Sequence, residues 1–208
     1  MAKVFLEESI LSGIASAIRE KNGESTSYYP GEFVEKIKIL PNTTDVREII
    51  DGTIEELNTD ASKVRRYCFA YALGLEKINC PNCRIIEDNA FYACWDVNFI
   101  SFPKCSTIYY NAFEDCRKLF SASFPECTEI SSLAFEGCRK LLSFYLPSTS
   151  ICSLKNINAF SSTPIAGYTA STSGVYGSIY VPASLVSAYK VAENWSYYSN
   201  RITAIPES

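Results

Sequence analysis

Residues 103–124 read PKCSTIYYNAFEDCRKLFSASF, and residues 125–146 read PECTEISSLAFEGCRKLLSFYL. The second stretch keeps the proline, cysteine and phenylalanine positions of the first, so the sequence repeats every 22 residues. Seven such columns run in phase through the chain: Pro81, Pro103, Pro125 and Pro147; Phe69, Phe91, Phe113 and Phe135; Cys94, Cys116 and Cys138; Cys83, Cys105 and Cys127; Ile86, Ile108 and Ile130; Leu75, Val97, Leu119 and Leu141; Ile78, Ile100, Ala122 and Phe144. A unit this short cannot bury its apolar side alone, so the copies are expected to stack into a solenoid.

The apolar residues before each proline predict a strand. In one copy these are Val97, Ile100 and Phe102, and their final alternation with period two suits a strand with one face turned inward. The following proline ends the strand because it cannot donate to the ladder. A second apolar pair, Cys105 and Ile108, predicts a second short extended segment. The Ala-Phe-x-x-Cys stretch that completes the unit is expected to form a turn of helix.

Composition narrows the classes of function. The 208-residue chain is 47% hydrophobic and 20% charged, which is ordinary for a folded globular protein. Its net charge of -4 argues against nucleic acid as the main partner, since phosphate recognition calls for a basic surface. The opening residues Met1–Glu8 do not resemble a classical secretion signal, and the sequence has no run of 18 apolar residues. We therefore expect neither classical secretion nor a membrane span.

Nine cysteines and no histidine shape the expected chemistry. Without histidine, Ser-His-Asp triads, Cys-His dyads and most catalytic zinc sites are excluded. Cys80-Pro81-Asn82-Cys83 could be half of a zinc site or a redox pair, yet the slot of Cys80 holds Phe102 in the next copy. We interpret the cysteines as buried structural residues and expect no enzyme activity, metal or cofactor. Thiol-based or carboxylate-based catalysis stays open as an alternative.

The outward strand positions are the candidate binding residues. They lie four and two residues before each proline, and Tyr109 and Tyr110 lie on a second outward segment. The strand positions are Lys77, Asn79, Phe99, Ser101, Ser121, Ser123, Ser143 and Tyr145. Neutral polar groups with interspersed aromatic rings suit a protein or a sugar ligand. The Ser-, Thr- and Gly-rich residues 161–178 break the period, and we interpret them as a flexible insert, with a binding loop as the alternative.

The repeat resembles the BspA-like class of leucine-rich repeats, whose units typically read Ala-Phe-x-x-Cys-x-x-Leu-x-x-Ile-x-Ile-Pro. The copies that carry the resemblance most clearly are residues 112–119 (AFEDCRKL) and 134–141 (AFEGCRKL). This resemblance implies a mainly β solenoid of leucine-rich-repeat type with short helices over residues 45–178. Residues 179–208 resemble the closing cap of the class, with Leu185, Tyr189 and Trp195 expected to cover the end of the core.

Residues 1–41 are predicted to be a separate helical module. Ile10, Ile14 and Ile18 recur every four residues, as on one face of a helix that Asn22-Gly23 would end. The module is similar to segments in tail-associated proteins of phages and prophages of gut bacteria. That similarity implies a tail-associated protein that attaches to other tail proteins through residues 1–41 and recognises a protein or cell-surface glycan through its repeats. Its location would be the virion or the host cytoplasm.

Three questions stay open at this stage. A bacterial surface adhesin of the same repeat class and an intracellular protein-interaction module, for example an inhibitor of a host system, are alternative functions. The identity of the ligand and the outward face that binds it are undetermined. Association into a homo-oligomer is equally open.

Overall fold

The fold is described here for residues 3–5, 56–72 and 74–207 of a computed structural model. The helices predicted within residues 1–41 lie outside this part of the chain. The mainly β solenoid that the 22-residue period predicts is confirmed, because each coil contributes one short strand to each of two parallel sheets.

The long sheet contains eight strands in the order β1, β2, β4, β6, β8, β10, β12, β13. Their bounds are β1 Lys3–Phe5, β2 Glu56–Asn58, β4 Lys77–Asn79, β6 Phe99–Ser101, β8 Ser121–Ser123, β10 Ser143–Tyr145, β12 Ser178–Val181 and β13 Ile202–Ala204. The short sheet contains five strands in the order β11, β9, β7, β5, β3. Their bounds are β3 Lys63–Val64, β5 Ile85–Ile86, β7 Thr107–Ile108, β9 Glu129–Ile130 and β11 Ser153–Leu154. All pairings are parallel, as expected when successive coils of a solenoid lie in register.

The corner between the short sheet and the next long-sheet strand is not the turn of helix that we expected. The N–H of Phe113 donates to the carbonyl of Ala134 in the next coil at 2.8 Å, and the phenylalanines of the neighbouring coils repeat this bond. Each coil turns instead on two residues of positive φ, four positions apart, such as Asn111 (55°) and Asp115 (58°). Backbone hydrogen bonds between the corners of successive coils thus form a third ladder along the solenoid. A helix at the corner would use the same N–H groups for internal hydrogen bonds, and this ladder could not form.

The core is a continuous stack of aromatic rings and small thiols. Five buried phenylalanines follow one another with ring centroids 5.2–5.5 Å apart and planes within 12° of parallel: Phe69, Phe91, Phe113, Phe135 and Phe160. This spacing slightly exceeds the roughly 4.8 Å between paired strands, so the rings follow the coils one for one. Beside them Phe102 and Phe124 stack at 5.8 Å. Apart from the prolines, which are exposed or half-buried, the column residues named from the sequence are buried.

The C-terminal end is closed by side chains that replace a missing coil. α1 (Val186–Val191) and the 3₁₀-helix Trp195–Arg201 follow β12, while three further 3₁₀-helices span Ile157–Phe160, Ala170–Thr172 and Ala183–Leu185. The N–H of Cys152 donates to the Tyr189 hydroxyl at 2.8 Å, and the Trp195 indole donates to the Cys152 carbonyl at 2.6 Å. The Asn194 amide donates to the carbonyl of Leu154 at 2.7 Å. The edge of the short sheet is thereby hydrogen-bonded without another strand.

Candidate functional site

The outward side of the long sheet, called the outer face below, holds eight of the ten predicted binding residues. Because the strands are in register, these side chains form two rows across the coils. From β2 onward, the first row contains Glu56, Lys77, Phe99, Ser121, Ser143 and Ser178; the second contains Asn58, Asn79, Ser101, Ser123, Tyr145, Tyr180 and Thr203. The structure therefore places these eight residues on one surface, although it does not test whether they bind anything.

Contacts within the second row hold its side chains in place. The amide of Asn79 donates to the side-chain oxygen of Asn58 at 2.9 Å. At the other end Tyr145 and Tyr180 stack with ring centroids 4.6 Å apart and planes within 13°. Serines 101 and 123 lie between these pairs and are partly exposed. The second row thus presents serine hydroxyls between the fixed pair Asn58–Asn79 and the fixed pair Tyr145–Tyr180. The side chains of these two pairs would lose little rotamer entropy when a partner binds.

Exposed aromatic rings lie within and beside the first row. Phe99 is 52% exposed and Phe120, which precedes β8, is 51% exposed. Their coils are adjacent, since the N–H of Phe120 donates to the carbonyl of Asn98 at 2.8 Å. Trp95, on the same coil as Phe99, is 37% exposed. Burying such rings removes apolar area from water, which makes them suitable anchors for a partner.

Charged side chains fix the border near Trp95. The guanidinium of Arg117 lies 4.8 Å from the centroid of the Trp95 ring. Lys118 Nζ lies 2.5 Å from Asp96 Oδ1, and the N–H of Gly74 donates to Asp96 Oδ2 at 3.1 Å. The hydrogen bond from Lys118 lowers the pKa of Asp96, and the same bond raises the pKa of Lys118. Asp96 therefore links three successive coils beside the outer face.

Tyr109 and Tyr110 do not join the outer face. They follow β7 of the short sheet and are 41% and 44% exposed. Tyr109 borders an open depression of about 370 Å³ whose charges compensate one another, because Lys63 pairs with Glu87 and Arg66 with Asp88. The sequence argument placed these two tyrosines on a second outward segment, and the structure has them beside the short sheet, apart from the other eight residues.

Sequence reasoning missed several residues of the outer face. Tyr180 lies 35 positions after Tyr145 and so has no partner in the 22-residue columns. It still stands two residues before a proline, Pro182, as Tyr145 stands before Pro147. That relation to proline was the available signal. Phe120 and Trp95 lie outside the strands, and no periodic signal marks them.

The cysteines are buried structural thiols in the described chain. All nine are buried, and none of them forms a disulfide. The thiols of Cys94, Cys116 and Cys138 donate to carbonyls of the preceding coil at 2.9–3.3 Å. In the C-x-x-C pair, burial raises the pKa of Cys83 to about 11 and that of Cys80 well above its ordinary value. A raised pKa disfavours the thiolate that redox chemistry or metal binding would need.

A corner of carboxylates lies beside two tyrosines on the coil turns. Burial, with Glu136 and Asp115 nearby, raises the pKa of Glu114 to about 7. The rings of Tyr71 and Tyr92 meet edge to face at 5.3 Å on the preceding coils, and burial raises the pKa of Tyr92 to about 12. Within residues 56–72 and 74–207, no three acidic or thiol side chains converge as ligands for a metal ion. A search of the same described residues finds no helix with the length and apolarity of a membrane span.

Comparison with known families agrees with the geometry. Residues 62–175, more than half of the chain, match the model of the BspA type leucine-rich repeat region in six copies. Leucine-rich repeats of this kind are typically non-catalytic modules for protein interaction or binding. No curated protein matches the chain.

Proposed function

This chain belongs to the BspA-type leucine-rich repeat family, and from that membership we propose that it is a non-catalytic binding protein that recognises a protein partner through the outer face. The observation that carries the proposal is the pair of in-register rows, with the exposed ring of Phe99 in the first row and that of Phe120 beside it. Aromatic residues surrounded by neutral polar groups are typical of the centre of a protein interface.

A protein partner fits the chemistry of the outer face better than a nucleic acid. From β2 onward, Lys77 is the only cation in the two rows, where Glu56 lies beside it in register, and Lys118 is paired with Asp96. A phosphate backbone would need a stripe of unpaired cations. Serine, asparagine and tyrosine side chains instead supply hydrogen bonds around anchors that lose water on contact.

The partner would be recognised on a bacterial cell, because we further propose that the protein is tail-associated in a phage or prophage particle. This part rests on the similarity of residues 1–41 to segments of tail-associated proteins. In this arrangement residues 1–41 attach to other tail proteins and the solenoid presents the outer face. The proposal locates the protein in the virion, or in the host cytoplasm before assembly.

Quantitative mass spectrometry of culture fractions tests the location. Cytosol, cell surface, medium and purified phage-like particles of the producing culture would be compared. Stoichiometric recovery in particles supports the tail proposal. Recovery only in cytosol contradicts it and favours the intracellular interaction module, whereas recovery only at the cell surface favours an adhesin.

Binding of the labelled full chain to whole cells tests the outer face. We expect saturable binding that the Phe99→Ser/Phe120→Ser variant weakens at least about tenfold, because interface anchors of this size are worth roughly 2 kcal/mol. Tyr109→Ser/Tyr110→Ser is the matched control, since both of its rings are similarly exposed beside the short sheet. Equal loss in both variants contradicts the assignment of the surface. Protease treatment of the cells should abolish binding, while a loss only after periodate treatment would indicate a glycan.

A further inference from the structure

A pocket of about 160 Å³ lies at the C-terminal end, away from the regular coils. It forms where the 3₁₀-helix Trp195–Arg201 meets the segment 161–178, which breaks the 22-residue period. The lining residues are Ile165, Ala166, Tyr197, Tyr198, Asn200 and Arg201. A regular coil does not contain this segment. The packing of residues 161–178 therefore creates a concavity that the repeat itself does not provide.

The segment that forms one wall is ordered by its own contacts. Ile165 is 1% exposed and belongs to the core, and the hydroxyl of Thr163 donates to the carbonyl of Phe160 at 2.6 Å. The N–H of Ala166 donates to the carbonyl of Thr163 at 3.0 Å. The wall of the pocket is therefore preformed, which lowers the entropy that a ligand must overcome.

Arg201 is the charged group of the pocket. Its guanidinium lies 3.9 Å from the centroid of the Tyr176 ring, which holds the planar group in one orientation. Among the residues that the structure describes, Arg201 forms no ion pair with a carboxylate. The guanidinium fork is thus oriented and available, and its geometry matches a planar carboxylate with two parallel hydrogen bonds.

Aromatic and amide groups complete the pocket. Tyr197 is 63% exposed, so its ring offers an uncovered face at the rim. Tyr198 is buried and its hydroxyl bonds to the carbonyl of Ile157, so this ring is fixed at the base. The exposed amide of Asn200 supplies both a donor and an acceptor. A ligand that combines a ring with an apolar C–H face, hydroxyl groups at the edge of the ring and one carboxylate would contact the tyrosine ring, the amide and the guanidinium of the pocket.

We propose that this pocket binds a single carboxylated sugar residue, a uronic acid, with its carboxylate on Arg201 and its ring on Tyr197. The volume is smaller than the roughly 300–1,000 Å³ of pockets for drug-sized ligands, which limits the occupant to about one ring. A guanidinium fork binds carboxylate and phosphate alike, so phosphate is the competing ligand for Arg201. None of the six lining residues belongs to the two rows of the outer face, so either assignment can fail without the other.

Saturation-transfer NMR titrations on the full chain test the proposal with four probes: glucuronate, galacturonate, glucose and inorganic phosphate. Glucuronate or galacturonate should bind at least about tenfold more tightly than glucose, because hydrogen bonds between charged groups are the stronger class. Equal affinity for glucose and both uronates overturns the role of the carboxylate. Phosphate binding as tight as that of the uronates overturns the assignment to a sugar.

Variants locate the binding in this pocket. Arg201→Gln should weaken uronate binding about tenfold and leave glucose unchanged, whereas Tyr197→Ala should weaken both. Arg84→Gln is the matched control, since Arg84 is exposed on a regular coil. Unchanged uronate binding in Arg201→Gln overturns the proposal. Thermal melts verify folding, and if Arg201→Gln does not fold, the exposed Tyr197→Ala decides the outcome.

Discussion

Replacing Phe113 by alanine tests the central claim that stacked rings hold the coils together. Phe113 is fully buried and stacks between Phe91 at 5.2 Å and Phe135 at 5.3 Å, each within 8° of parallel. Removing a buried phenylalanine costs about 3–5 kcal/mol from lost transfer energy and the cavity left behind. Each aromatic contact adds roughly 0.5–1.5 kcal/mol, so the loss of both stacked neighbours puts Phe113→Ala near the upper end, at about 5 kcal/mol.

Two other phenylalanines provide graded controls for the same measurement. Among the residues that the structure describes, Phe69 stacks on one phenylalanine, Phe91 at 5.4 Å, whereas Phe113 stacks on two, so Phe69→Ala should cost less than Phe113→Ala. Phe120 is 51% exposed, and Phe120→Ala should stay within about 0.5 kcal/mol of wild type. Urea unfolding, extrapolated linearly to water, gives the three free energies of unfolding. If Phe113→Ala is too unstable to measure, Phe113→Leu supplies a smaller cavity at the same site.

The ordering of these variants is what the reasoning requires. A Phe113→Ala variant as stable as wild type would remove this ring from the core. A Phe120→Ala variant that costs as much as Phe113→Ala would show that burial does not determine the loss. Because coils of a solenoid contact only their neighbours, the loss should also appear as faster amide exchange in the adjacent coils before the ends of the array.

The remaining predictions concern turns, titration and thiols. Gly137→Ala should destabilise the protein by about 1 kcal/mol or more in a thermal melt, because φ is +70° there and a Cβ would lie 2.5 Å from an Asp115 side-chain oxygen. The pKa of Glu114 is raised to about 7 from an unfolded value of about 4.3, so between these two pH values the native state binds a proton that the unfolded state has lost. The free energy of unfolding should therefore fall as the pH rises from about 4.3 to about 7. Glu114→Gln should flatten this dependence of stability on pH, whereas Glu126→Gln, at an exposed site, should not. A thiol reagent should modify essentially none of the nine cysteines in the native protein and all of them in denaturant, and rapid native labelling of most thiols would contradict their burial.

The repeating parts of the molecule were predictable because burial imposes the same demand on every coil. The columns of Phe113 and Cys116 each fill one position in the cross-section, and a polar residue there would lie in the core. The strands before each proline also followed from the sequence, because inward alternation and the missing N–H of proline are local constraints. Eight outward residues could thus be assigned to one surface before any coordinates were known.

The corners and the C-terminal end could not be predicted on the same grounds. At the corner, Ala112 and Glu114 are good helix formers, but the N–H of Phe113 donates to the carbonyl of Ala134 in the next coil. Such a bond between coils leaves no trace in local propensity. The pocket near Arg201 depends on how the irregular segment 161–178 packs against the cap, and an irregular segment has no period to analyse.

Comparison of the coils with one another separates the scaffold from its recognition surface. Within β4 and β6 the inward slot holds isoleucine in both, Ile78 and Ile100, whereas the outward slot changes from Lys77 to Phe99. Packing in the core restricts which residues can occupy the inward slot. The outward slot faces solvent and tolerates nearly any residue. Substitutions of exposed outer-face residues such as Phe99 should therefore change stability by less than about 0.5 kcal/mol. A loss of binding in such a variant can then be attributed to the surface itself, which is the condition that makes the proposed function testable with this fold.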